Sequence, residues 1–267
     1  MNTALTNNPL TAGGTACRIL QKGTRGQVIG VFSQGIYCRV GENLLLFHDA
    51  KWGYVPFGIA TSDIRAFSEA TKPNVGDEVV STESSVTLGG CSFAYAYCPP
   101  PSAPATCFCP PTKEKLRAVY EYVLAHGSHG GMLALLETNR GGARDAVNRL
   151  LDGDAATAKK LIGLGRGLTP SGDDFLCGFL TVLGERHPLA KEVCAVIAEN
   201  LDRTTSISAA YLGGVLCGEY FTIYDAARSV LLGDAPFAAP CDFVLSMGAS
   251  SGTDTLLGAL AAARILL

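Results

Sequence analysis

Six of the chain's thirteen prolines, Pro99, Pro100, Pro101, Pro104, Pro110 and Pro111, fall between Cys98 and Pro111. Proline has no backbone donor and holds φ near about −65°, so neither a helix nor a central strand can run through such a stretch. It reads as an exposed connection that divides the chain. Before it, Val28 to Phe32, Ile36 to Val40 and Asn43 to Phe47 are β-rich runs separated by Ser33 to Gly35 and by Gly41-Glu42. With further candidates at Tyr54 to Ile59, Glu78 to Ser81 and Ser85 to Leu88, they predict a meander of short strands forming a small sandwich or barrel. After it the period changes: Leu116, Val119, Tyr120, Val123 and Leu124 recur at helical spacing behind Thr112, a candidate cap, and stop before Gly127, read as a left-handed terminator. Similar helices are expected over 143–151, 155–162, 171–183, 189–200, 206–216, 221–232, 242–247 and 251–266. The expected class is α+β: a β-rich domain over 1–97, the Pro-rich connection over 98–111 and a mostly helical domain over 112–267.

A chain of 267 residues with 48% hydrophobic and 17% charged residues can bury a sizeable core. The net charge of −3, with no basic stripe interleaved with aromatics, argues against nucleic acid as a partner. No apolar run approaches the roughly twenty residues of a membrane span, and Met1 to Cys17 lacks the basic start and apolar centre of a signal peptide, so a cytoplasmic location is expected. Cys177, Cys194 and Cys217 lie in apolar helical patterns, as buried thiols do, and Cys91, Cys98, Cys107 and Cys109 fit no common zinc spacing. His48, His126, His129 and His187 likewise form no ligand spacing. The cluster Trp52, Gly53, Tyr54, Pro56 and Phe57 reads as packing.

The stretch from Gly163 to Leu180, Gly-Leu-Gly-Arg-Gly-Leu-Thr-Pro-Ser-Gly-Asp-Asp-Phe-Leu-Cys-Gly-Phe-Leu, is a glycine loop that runs into the start of an apolar helix. Gly163, Gly165 and Gly167 permit positive φ and close approach of backbone N–H groups to an anion, and a helix N-terminus adds its own. Thr169 or Ser171 can cap the helix, with Pro170 in its first turn. Asp173 and Asp174 admit two readings. They complement the helix dipole, with Ser171 and Asp174 as an Asp variant of the capping box, or they hold Mg²⁺ or orient a polar substrate. Gly172, costly in a first turn, calls for a close approach. The pattern Ser-Gly-x-Asp-x-Leu-x-Gly-x-Leu occurs twice, at Ser171 to Leu180 and at Ser251 to Leu260. Between the copies, Arg203-Thr204-Thr205-Ser206-Ile207-Ser208-Ala209-Ala210 is a third hydroxyl-rich helix start. Three such starts suggest convergence on one polar ligand, or else an old duplication of helical hairpins that kept its caps.

The glycine-loop string, the Arg-Thr-Thr-Ser-Ile-Ser-Ala string and Gly-Ala-Ser-Ser-Gly-Thr-Asp at 248–254 together resemble a bacterial family whose named member is the AllH-like subunit of oxamate carbamoyltransferase. The resemblance covers most of the chain; its specific motifs all lie after Gly163, and the β-rich third is more loosely similar. It implies a three-subunit enzyme of allantoin degradation that moves a carbamoyl group between oxalurate and phosphate, giving oxamate and carbamoyl phosphate. The family more often shows Pro where this chain has Arg166, which adds a positive charge to the loop. The candidate site is read from this sequence and not transferred from the family.

Carbamoyl transfer needs anion docking, a polarised carbonyl and accurate positioning, and no covalent enzyme intermediate. Gly165, Arg166 and Gly167, with Thr169, Ser171 and Gly172, would bind phosphate or a substrate carboxylate. Arg203, Thr204, Ser206, Ser250 and Ser251 would hold the other polar end. Asp173, Asp174 and Asp254 are the candidate catalytic acids, orienting an amide, with Asp173 and Asp174 as ligands if Mg²⁺ is bound. The expected partners are a small anionic substrate and other subunits of a carbamoyltransferase complex, with neither nucleic acid nor membrane. Two alternatives stand beside this: a stand-alone metal-dependent hydrolase or transferase acting on a phosphorylated or ureido small molecule, and a non-catalytic interaction subunit.

Overall fold

A computed structural model describes residues 10–267 apart from 22, 83 and 102–108. Cys107, Pro104 and much of the expected connection therefore lie outside the described residues. The chain divides into two compact units, Met1–Ser102 with Tyr220–Thr222, and Ala103–Glu219 with Ile223–Leu267.

The first unit is a closed barrel, the second of the two shapes expected. Its strands are β1 (Leu10–Ala12), β2 (Arg25–Phe32), β3 (Gly35–Val40), β4 (Asn43–Asp49), β5 (Gly58–Thr61), β6 (Glu78–Ser81), β7 (Ser85–Leu88) and β8 (Cys91–Tyr97). They close in the order β1-β5-β4-β3-β2-β6-β7-β8. All neighbours are antiparallel except β1 with β8 and β4 with β5. Alternation fixes the register: Ile36 opposite Phe47 and Cys38 opposite Leu45 send buried side chains into one core with Val28, Ile59, Val79, Val86 and Leu88. Helix α2 (Ile64–Thr71), capped by Asp63, adds Phe67, whose ring stacks on Phe47 at 5.4 Å and meets Phe93 at 4.8 Å. Helix α1 (Gly14–Ile19) packs Ala16 into the same core. Residues 54–57 are not strand, and β5 begins only at Gly58, because this segment is held instead by Tyr220–Thr222. The Tyr54 N–H donates to Thr222 Oγ1 at 2.7 Å, and the rings of Tyr54 and Phe57 meet those of Tyr220 and Phe221.

The second unit contains α3 (Lys113–His126), α4 (Gly131–Thr138), α5 (Ala143–Leu151), α6 (Ser171–Leu183), α7 (Pro188–Ala198), α8 (Ser206–Leu216), α9 (Thr222–Leu232, from Ile223 onward), α10 (Ala238–Leu245) and α11 (Ser251–Ile265). Thr112 caps α3 by accepting from the Lys115 N–H. Gly127, however, is extended at φ −84° and not left-handed: the chain leaves α3 directly, and a side chain there would run into the Val123 carbonyl. The expected helix over 155–162 is a 3₁₀ turn, Ala155–Lys160, whose Asp154 cap accepts from Ala156 N–H.

Helices α6 and α11 are buried on nearly every side, and they pack together through the repeat's glycines. A Cβ at Gly178 would overlap the carbonyl of Thr255, and one at Gly258 would overlap that of Phe175. The relation is reciprocal, each copy's second glycine seating on the other copy's backbone. The first glycines seat on preceding segments, Gly172 on the Leu161 carbonyl and Gly252 on that of Val244. In this repeat the glycines are there for close helix packing.

Candidate functional site

The N-termini of α4, α6, α8 and α11 gather around three carboxylates that are almost wholly buried: Asp173 and Asp254 at 0% exposure and Asp174 at 4%. Asp173 lies in the first turn of α6. Its Oδ1 accepts from the Gly163 N–H at 2.9 Å, while its Oδ2 accepts from Ser208 Oγ at 2.8 Å and from the Thr204 hydroxyl. One side chain thus ties the base of the glycine loop to the start of α8. Thr205 caps α8 by accepting from the Ser208 N–H at 3.0 Å and donates its hydroxyl proton to the Leu168 carbonyl, fastening the far side of the loop.

Asp254 sits in the first turn of α11. Its Oδ1 accepts from the Met132 N–H, at the start of α4, at 2.6 Å, and its Oδ2 accepts from Ser250 Oγ at 3.0 Å. Gly131, at φ +56°, makes this approach possible, since a Cβ would stand 2.6 Å from the Asp254 carboxylate. The third donor is Ser171, and Ser251 in turn hydrogen-bonds Asp174. Each copy's serine therefore serves the other copy's aspartate. Neither serine caps its own helix, and neither does Thr169: α6 starts from Pro170 and α11 from Ser250 without a side-chain cap. The capping box expected of Ser171 and Asp174 is replaced by an exchange between crossing helices.

Burial raises all three acids. It outweighs the Thr204, Gly163 and Ser208 donors at Asp173. At Asp174 it pushes the carboxyl well above the ordinary value, reinforced by the charge of Asp254 and opposed by the Ser251 and Thr169 hydroxyls. Asp254 is raised to about 6, burial again prevailing over Met132, Ser171 and Ser250. Among the described residues, Asp174 Oδ2 and Thr255 Oγ1 are buried side-chain atoms with no hydrogen-bond partner.

Above this layer the loop is open. Gly163, Gly165 and Gly167 adopt φ of +72°, +124° and +106°, and Gly165 approaches Ser171 so closely that a Cβ would stand 2.7 Å from its N–H nitrogen. Residues 165–168 are exposed, as are Arg166, Arg203 and Ser206; Thr169, Thr204, Ser250 and Ser251 are half-buried. Thr169 Oγ1 lies 3.0 Å from Ser251 Oγ and links the loop to α11. Gly172 belongs to the packing and not to the loop surface. Asp173 has both oxygens occupied by protein donors, and among the described residues no group of three or more His, Cys, Asp or Glu side chains is arranged to hold a metal. The residues at this position do not fit Mg²⁺ held by Asp173 and Asp174 together.

Sequence reasoning missed Ser208, Thr205 and Met132. Ser208 stood in the hydroxyl-rich string and was marked out only by its i+3 spacing from the cap; the Met132 N–H has no sequence signal.

Fold and site together define an α+β protein whose helical unit encloses a carboxyl–hydroxyl node beneath a glycine loop. Residues 161–263 match the family described as oxamate carbamoyltransferase subunit AllH, and the chain is AllH-like over this segment. The match takes in the loop and α6 to most of α11 and leaves the barrel outside it. No curated protein and no solved structure matches the chain. Among the described residues, no helix is long and apolar enough to cross a membrane.

Proposed function

We propose that this chain is a subunit of a carbamoyltransferase complex that moves a carbamoyl group between oxalurate and phosphate, and that it docks a small anion on the glycine loop. A family named as a subunit implies companion subunits. The observation that carries the anion-docking reading is the exposed loop at 165–168, with positive φ at Gly165 and Gly167 on either side of Arg166, set beside the start of α6. The dipole at a helix N-terminus favours an anion by about 0.3–1 kcal/mol in exposed settings, and an arginine adds a charge-assisted, bidentate contact. Arg203, at the head of α8, is exposed and supplies the second cation. The buried acids do not touch the anion in this reading: Asp173 positions the loop against α8, and Asp254 fixes the start of α4.

Calorimetric titration of the purified chain with phosphate, carbamoyl phosphate and oxamate tests the docking site. Arg166→Ala is expected to weaken phosphate binding by about tenfold, the loss of one charge-assisted contact. Phosphate-dependent cleavage of oxalurate by the chain with its companion subunits tests the reaction. Phosphate affinity indifferent to Arg166 and Arg203 would remove the loop as the docking site.

A second reading, a non-catalytic interaction subunit, draws support from the glycines of the repeat, since all four seat helices on backbone carbonyls. It predicts a complex whose turnover is unaffected by Arg166→Ala and Arg203→Ala.

A further inference from the structure

Asp174 and Asp254 occupy the same position in the two copies of the repeat, yet their surroundings differ in donors. Asp254 receives the Met132 N–H on one oxygen, Ser250 Oγ on the other, and Ser171 besides. Asp174 has only Ser251 and Thr169. Those two hydroxyls are bonded to one another at 3.0 Å, and each has one proton. At most two protons therefore reach the carboxylate, and among the described residues Oδ2 has no partner although it is fully enclosed. An ionised oxygen left without a donor in the interior costs far more than a neutral carbonyl oxygen. The donor count therefore makes Asp254 the anion of the pair and Asp174 the acid.

In the acid form the bonds can run outward, from Asp174 to Thr169. Asp174 Oδ1–H donates to Ser251 Oγ, Ser251 donates to Thr169 Oγ1, and Thr169, half-buried at the end of the exposed loop, has its own proton to give. We propose that Asp174, Ser251 and Thr169 form a proton relay from the interior to the glycine loop. Its substrate rests on the carbamoyl-transfer reading; the protonation of Asp174 does not. When a phosphate oxygen attacks the carbamoyl carbon of oxalurate, the carbon–nitrogen bond breaks and its electron pair stays on the oxamate nitrogen. Thr169 gives that nitrogen a proton, Ser251 replaces it, and Asp174 replaces that of Ser251. The resulting carboxylate regains its proton from solvent after product leaves. Asp174 acts through Thr169 and touches no ligand. The charges that act on it, those of Asp254 on α11 and Asp173 on its own helix, are both negative, and both hold the proton in place. Cys177 on α6 and Tyr224 on α9 also face it, and burial pushes both their pKa values up, so they stay neutral.

Infrared spectroscopy at neutral pH reads the acid directly. The wild-type chain is expected to show the carbonyl stretch of a protonated, buried carboxyl that Asp174→Asn removes and Ser251→Ala shifts. A wild-type spectrum identical to that of Asp174→Asn overturns the proposal. In the assembled complex, Asp174→Asn and Ser251→Ala are expected to lower kcat for oxalurate cleavage by about 100-fold or more with little change in the KM for phosphate, the usual size of a general-acid contribution. Thr169→Ser, which keeps the hydroxyl, recovers what Thr169→Val loses, and the alkaline fall in kcat disappears in Asp174→Asn. Normal turnover in a folded Asp174→Asn complex overturns the relay. If the wild-type complex does not cleave oxalurate, the carbamoyl-transfer reading fails, and the infrared band with its Ser251 dependence alone decides whether the relay stands.

Discussion

The charge on Asp254 should destabilise the helical unit, and removing it should stabilise that unit in a pH-dependent way. Asp254 is fully buried, and its carboxyl is raised from 3.8 to about 6 by burial, against the pull of Met132, Ser171 and Ser250. A folded value above the unfolded one favours the folded state fully below pH 3.8, and that advantage is lost as the pH rises through about 6. At 1.36 kcal/mol per unit, the ionised group costs the fold about 3 kcal/mol above that range. In Asp254→Asn the remaining oxygen still accepts from the Met132 N–H, and the new amide N–H₂ can donate to Ser250 Oγ, so the geometry survives at the cost of one reversed hydrogen bond, or two where Ser171 shares that side, roughly 1–2 kcal/mol. The variant should be more stable than wild type by about 1–2 kcal/mol near pH 8 and should lose that advantage near pH 4. For a unit of this size the gain corresponds to a rise in Tm of about 2–8 °C. Urea denaturation followed by far-UV circular dichroism, which is dominated by the helical unit, measures it at both pH values. A variant destabilised equally at both would show that the carboxylate is fully compensated where it stands, and the linkage argument would be wrong.

The barrel carries the opposite sign. His48 is buried at 2% exposure, its Nδ1 3.0 Å from the Asp49 carbonyl, and burial lowers its pKa from 6.5 to about 4. The neutral ring's contribution is present above pH 6.5 and lost as the pH falls to about 4, about 3 kcal/mol in all. The fluorescence of Trp52, the chain's one tryptophan, should report acid destabilisation of the barrel that His48→Gln abolishes. Gly178→Ala and Gly258→Ala should each cost about 1–3 kcal/mol or more by forcing α6 and α11 apart, whereas Gly213→Ala, in α8 with open space around it, should be neutral or stabilising by about 0.5–1 kcal/mol; thermal denaturation compares the three. Asp173→Asn replaces an acceptor by a donor facing Gly163, Thr204 or Ser208, and should cost about 1–3 kcal/mol and speed hydrogen exchange at the Gly163 amide. Unchanged exchange there would mean that Asp173 does not hold the loop.

What was legible in the sequence follows from how local each determinant is. The bounds of α5, α6 and α8 agree with those expected from period and composition, because the residues that start and stop these helices lie within a turn of the ends. Helix α4 was missed because Gly127, Gly130 and Gly131 punctuate the segment as a loop, and its start depends on a left-handed Gly131 whose reason is Asp254, more than 120 residues away. Strand β1 is three residues long, and in β8 only Phe93 is buried, so neither carries an alternation that a pattern could register. Asp174, Asp254, Ser171 and Ser251 stand out because the motif repeats, and Asp173, Thr169 and Thr204 because they lie at or near a helix start. Their pairing does not, because spacing along one helix suggests a serine that serves its own first turn, and only the crossing of α6 and α11 exchanges the partners.

The two copies of the repeat also separate packing from ligand binding. In each, the N–H of the first glycine donates to a carbonyl of the preceding loop, Gly172 to Leu164 at 2.8 Å and Gly252 to Met247 at 3.1 Å. Leu164 stands eight positions before its glycine and Met247 five, so the first copy holds three more residues in the same closed turn. The seating of Gly172, Gly178, Gly252 and Gly258 on backbone is common to both copies and accounts for the fixed positions of the pattern. What the first copy alone possesses is the longer connection that contains Gly165, Arg166 and Gly167, exposed and bent through positive φ at both glycines. Packing does not require that excursion, since the second copy closes without it. The three extra residues, with positive φ at Gly165 and Gly167, thus lie beside the buried acids without a packing role shared by both copies, which supports the loop as the anion dock we propose. The packing of the repeat is therefore common to both copies, and the longer turn that carries Arg166 belongs to the first copy alone.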